Sequence, residues 1–197
     1  MLCDLDAAVP LGAAWSADLK SSSAYFAPEV AQRRFAGVRH PPLIVTEKLD
    51  VWSLGVLLFE LVTGRNLFPQ DIANDDIDSA EPKTRLCVWR YVTADLLKSV
   101  FRGTDARCSE QQRVDARHLL AWMLRGDPAQ RPTMEEVLAH RFVRANAAPP
   151  QPMRQVRYHC FISHMQVRSD TRGLPPPFPP AAVVGCVANE WVRCATL

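Results

Sequence analysis

The chain has 197 residues, of which 48% are apolar and 22% charged, and a formal net charge of +2; this suits one globular domain with an appendage and argues against nucleic acid or anionic lipid as a ligand. Its five His and six Cys are scattered, with no Cys-x-x-Cys and no zinc spacing, so no structural metal is expected and the thiols point to a reducing, cytoplasmic setting. No apolar run approaches the roughly 20 residues that cross a bilayer, and Met1–Asp6 is short and acidic, unlike a secretory signal.

In chain order, Met1 to Val45 carries little periodicity and reads as extended loop. From Glu47 to Thr63, apolar residues occupy nearly every face, among them Leu49, Val51, Trp52, Leu54, Leu57 and Phe59. A helix apolar all round belongs in the middle of a core. Thr46 stands where an N-cap would, and Gly64 where a left-handed C-terminal residue would. Amphipathic helices are expected at about Thr84 to Thr93, Ser109 to Leu124 and Thr133 to Ala139. Ser109 with Gln112, and Thr133 with Glu136, each have the spacing of a capping box. Pro128 and Pro132 punctuate the loop before the last helix. The fold class expected is mainly α, around one buried central helix. A linker follows at 144–157, rich in Ala and Pro as far as Pro152, then an irregular Pro-rich tail at 158–197. No internal repeat is visible.

Three motifs carry the chemistry: Tyr25-Phe26-Ala27-Pro28-Glu29, Asp50-Val51-Trp52-Ser53-Leu54-Gly55 and Asp127-Pro128-Ala129-Gln130-Arg131-Pro132-Thr133. An Ala-Pro-Glu tripeptide alone is weak evidence. All three in this order, followed by a capped helix ending in Ala139-His140-Arg141-Phe142, closely resemble the C-lobe of eukaryotic-type protein kinases. The resemblance runs from Cys3 to about Val143, and implies a kinase domain part at 1–143 from the activation segment onward.

The resemblance implies roles for single residues. Glu29 would pair with Arg131 and pin the activation segment to the lobe; a buried carboxylate needs such a partner, and Arg offers a planar bidentate one. Asp50 would accept hydrogen bonds from a catalytic-loop backbone; the rival reading is a solvated residue complementing the helix dipole. Trp52 and Gly55 belong to the same helix motif. Asp4-Leu5-Asp6 stands where the family has Asp-Phe-Gly, so Asp4 would ligate the magnesium that bridges the ATP phosphates. Asp6 in place of Gly is a departure that removes the freest backbone position; two solvated acids are the alternative. Ser22, three before Tyr25, can do the chemistry of the family's Thr there, which leans the substrate class to Ser/Thr. Ser16, Ser21 and Ser23 are candidate phosphate acceptors, or plain loop serines.

The 197 residues contain no Gly-rich phosphate loop, no Val-Ala-Ile-Lys strand and no His-Arg-Asp catalytic loop. A parent protein would therefore use ATP and Mg to phosphorylate protein Ser/Thr, while this stretch alone would bind neither and lack a general base. Met1 then reads as an internal Met or a mis-assigned start. The competing reading is a kinase-like, non-catalytic (pseudokinase) interaction module.

Tyr158-His159-Cys160-Phe161-Ile162-Ser163 resembles the first strand of TIR domains, and a chance strand is its rival. Residues 168–197 are too few for the rest of that fold, whose catalytic Glu matches no position here. Pro175-Pro176-Pro177-Phe178-Pro179-Pro180 favours polyproline II. It reads as a ligand for an SH3 or WW module or, lacking a close basic anchor, as disordered filler.

Overall fold

A computed structural model describes residues 8–19, 21–71, 73, 76–100 and 108–146. At its centre lies α2, Glu47–Thr63, with Val51, Trp52 and Val56 wholly buried. The all-round apolar pattern therefore does bury this helix. Its ends differ in how they are closed. Gly64 adopts φ 67°, a left-handed conformation that costs glycine little, and its N–H reaches Glu60 O at 2.8 Å. Thr46 occupies the N-cap position, but its hydroxyl makes no capping bond.

Three helical expectations need correction. The first 45 residues are not all loop: a 3-10 turn at Ser23–Tyr25 leads into α1, Pro28–Phe35. Proline at the first helical position, Glu29 in the first turn and Arg33 and Arg34 in the last all favour that helix. The segment expected at Thr84 to Thr93 is divided into α3, Ala80–Cys87, and α4, Ala94–Lys98. Pro82 falls in the first turn of α3, where its missing N–H has no intrahelical partner to lose. Between the two helices Trp89 turns inward against Trp52 and Phe68, at ring distances of 5.9 and 5.5 Å. Thr93 then caps α4. Last, α7 spans Arg141–Asn146, so the stretch read as linker begins as helix.

The expected capping boxes are formed at α5, Glu110–Met123, by Ser109 with Gln112, and at α6, Met134–Ala139, by Thr133 with Glu136. The core joins Trp52, Val56 and Phe59 of α2 to Leu119, Leu120 and Met123 of α5. A Cβ on Gly55 would sit 3.0 Å from Leu124 Cδ2 and 3.1 Å from Met123 Cβ. That glycine is what lets α2 and α5 approach. Two short strands, β1 (Gln70–Asp71) and β2 (Asp76–Ile77), pair antiparallel with Gln70 opposite Ile77. Farther out, Trp15 N–H bonds Leu43 O at 2.8 Å and Val45 N–H bonds Ala13 O at 2.9 Å. The early loop is thereby stitched to the approach to α2. The architecture is mainly α, and among the described residues no helix is long and apolar enough to cross a membrane.

Candidate functional site

Arg131 is the node on which the three sequence motifs meet. It follows a 3-10 turn at Pro128–Gln130 that Asp127 caps through the Ala129 amide. Its side chain is wholly buried. Nη1 donates to Glu29 Oε1 at 2.8 Å and to Lys48 O at 2.9 Å. Nη2 donates to Glu29 Oε2 at 2.6 Å and to Gly126 O at 3.0 Å, while Nε donates to Arg125 O at 2.7 Å. All five guanidinium N–H groups are thus used. The guanidinium also lies 5.1 Å from the Trp52 ring centroid, a cation–π contact. The pairing expected between Glu29 and Arg131 is present and bidentate. Ala27 and Pro28, both buried, open the helix that presents Glu29.

The neighbouring first turn of α2 reinforces this node. Lys48 Nζ donates to Arg131 O at 3.0 Å, and Glu47 Oε2 accepts from the Met134 amide at 3.2 Å. Neither residue was singled out from sequence. Each is an ordinary charged residue in a helix's first turn, and only the docking of α6 gives it a partner.

The segment before Glu29 is held just as firmly. Tyr25 donates its phenolic O–H to Glu60 Oε2 at 3.1 Å, and its carbonyl accepts from the Ser53 hydroxyl at 3.0 Å. Ser23 is buried; its N–H bonds Asp76 Oδ1 at 3.0 Å and its hydroxyl accepts from the Ile77 amide at 2.8 Å. This corrects Ser23 as a candidate phosphate acceptor: it is the post on which β2 hangs. Ser22 is half-buried beside it, while Ser16 and Ser21 are exposed.

Asp50, for which the sequence left open a catalytic-loop acceptor or a solvated residue, reaches solvent here. The protein around it is nevertheless dense enough that desolvation, and then the Glu47 charge, raise its carboxyl above the ordinary Asp range. Asp4-Leu5-Asp6, the run Tyr158 to Ser163 and the tract Pro175 to Pro180 lie outside the described residues. Among the described residues no three His, Cys, Asp or Glu side chains converge as a metal site.

The family model described as "Protein kinase domain" matches residues 1–143. The chain belongs to the protein kinase family. Among its kinase relatives, a Saccharomyces cerevisiae protein named as a serine/threonine-protein kinase is 32% identical over 123 residues, covering 62% of this chain and 10% of that protein. An Aurora kinase of Dictyostelium discoideum is 27% identical over 133 residues, covering 62% of this chain and 28% of the relative. Mitogen-activated protein kinase kinase kinase 9 of Arabidopsis thaliana is 31% identical over 126 residues, covering 64% and 13%. The chain therefore spans less than a third of the length of each of these kinases.

Proposed function

We propose that residues 1–143 are the C-lobe, from the activation segment onward, of a serine/threonine protein kinase whose intact form transfers the ATP γ-phosphate to protein hydroxyls in the cytoplasm. The observation that carries the reading is the Arg131 node, in which Glu29, Lys48 and the turn at 125–126 converge on one guanidinium. That node fastens the loop bearing Ser22 and Tyr25 to the central helix, and a loop so fastened suits the positioning that phosphoryl transfer depends on. Ser22, in the place of the family's Thr, and the kinase relatives support Ser/Thr as the acceptor class. ATP and Mg belong to the intact enzyme. Asp4 is the one residue here proposed to touch the metal. The segments that would cradle phosphate and supply the base are absent from the 197 residues.

The second reading, a non-catalytic kinase-like module, is favoured by Asp6 in the place of the family's Gly. The test compares the 197-residue chain with a version extended upstream to include a catalytic loop. Each is incubated with labelled ATP, magnesium and a generic protein acceptor. The expected result is no transfer by the chain and transfer by the extended version. Transfer by the chain above an Asp4→Ala control would refute the assignment of missing parts, and an inactive extended version would establish the non-catalytic module instead.

A further inference from the structure

Beyond α6, α7 is joined to α5 by two imidazoles that meet edge to edge. His118 of α5 and His140, which precedes α7, lie with ring planes 9° apart and centroids 5.2 Å apart. His118 Nδ1 is 3.0 Å from His140 Nε2, and the Phe142 amide bonds His140 Nδ1 at 3.2 Å.

This chain of contacts dictates where the protons are. A backbone N–H can only donate, so His140 Nδ1 must be bare and its proton sits on Nε2. That proton is given to His118 Nδ1, which must also be bare. These contacts are satisfied by the Nε2–H tautomer of each ring. A further proton on His140 would face the Phe142 N–H, and one on His118 would face the His140 Nε2–H. Either sets donor against donor.

We propose that the His118–His140 pair is a pH-operated latch that holds α7 against α5 only while both imidazoles are neutral. The surrounding charges agree. Desolvation and then His118 lower the His140 imidazole below its ordinary range; Asp115 of α5 pulls the other way, and Arg141 of α7 adds to the lowering. On α6, Glu136 is tied to the Thr133 amide and Glu135 is exposed. A His depressed in the folded state contributes stability that is present above its unfolded pKa and lost as pH falls through the folded value, so the latch opens on acidification below the ordinary imidazole range. The buried Phe142 ring and the Arg141–Asp115 pair at 3.7 Å hold α7 by means other than the imidazole protons. Opening is accordingly local to α7.

The test follows imidazole nitrogens by NMR and amide exchange, corrected for intrinsic rate, on the full chain between about pH 8 and about pH 5. At the upper end both rings should be Nε2–H tautomers. On acidification Phe142 and the rest of α7 should lose protection before α2 and α5 do. In His118→Gln, whose amide oxygen accepts the same bond without titrating, that selective loss should shrink. An Nδ1–H tautomer on either ring, α7 opening in step with α2, or an unchanged pH dependence in His118→Gln would each overturn the latch. Should His118→Gln fail to fold, the wild-type tautomers decide alone.

Discussion

Arg131 shows how much one residue can carry. Its five N–H groups bind Glu29 and three backbone carbonyls with no exposed surface left on the side chain. Truncation strands a half-buried carboxylate and three acceptors, so Arg131→Ala should cost about 3–5 kcal/mol, within the range for breaking one partner of a buried pair. Chemical denaturation of the variant measures this. Arg131→Lys should not rescue it, because an ammonium cannot reproduce the planar fork. Asp50 is the opposite case. A carboxyl raised in the folded state contributes stability that is complete below its unfolded pKa and lost as pH rises through the folded one. Ionised Asp50 is therefore a liability in this chain, and Asp50→Asn should raise the unfolding midpoint at neutral pH. That gain should vanish below about pH 4. If an upstream catalytic loop supplies backbone donors, as the family resemblance implies, the same substitution in the extended version should lower the midpoint.

At the scale of elements, the turn between α3 and α4 packs directly on the loop that leads to Arg131. Trp89 Nε1 donates to Leu124 O at 2.9 Å, and the Gly126 amide bonds Arg90 O at 2.7 Å. The two loops touch so closely that a Cβ on Gly126 would lie 2.2 Å from Trp89 O. Backbone cannot yield as a side-chain end can. Gly126→Ala should therefore destabilise by about 1–3 kcal/mol or more, the range of overpacked sites, whereas the same change in an open loop would be near neutral. Thermal unfolding distinguishes the two. Gly126 also lends its carbonyl to Arg131, so this substitution and Arg131→Ala should be non-additive.

For the whole molecule, the central question is what the described body can bind. Ligands that bind only the folded state raise its stability by mass action, about 2.7 kcal/mol at a hundredfold excess over Kd. Magnesium with ATP should leave the unfolding midpoint of the 197-residue chain unchanged and should raise it in the extended version. A shift in the shorter chain would mean that the nucleotide site is carried by residues other than those assigned.

The central helix, both capping boxes and the Glu29–Arg131 pairing were legible in the sequence because each rests on local spacing or on a motif of fixed residue types. The nearly all-round apolar pattern of Glu47 to Thr63 leaves little face for water, and a Thr-x-x-Glu spacing matches a capping box at a helix start. The break at Trp89, the burial of Ser23 and the partners of Glu47 and Lys48 were not legible. Each depends on a group at least 35 residues away. Local propensity for a longer helix at 84–93 was outweighed by what an inward indole gains against Trp52 and Phe68. Asp50 belongs with these. Its residue type and its place at the start of a buried helix left both a backbone acceptor and a solvated residue open, because whether a carboxylate is desolvated depends on which backbone packs over it. That is a property of the assembled tertiary structure alone.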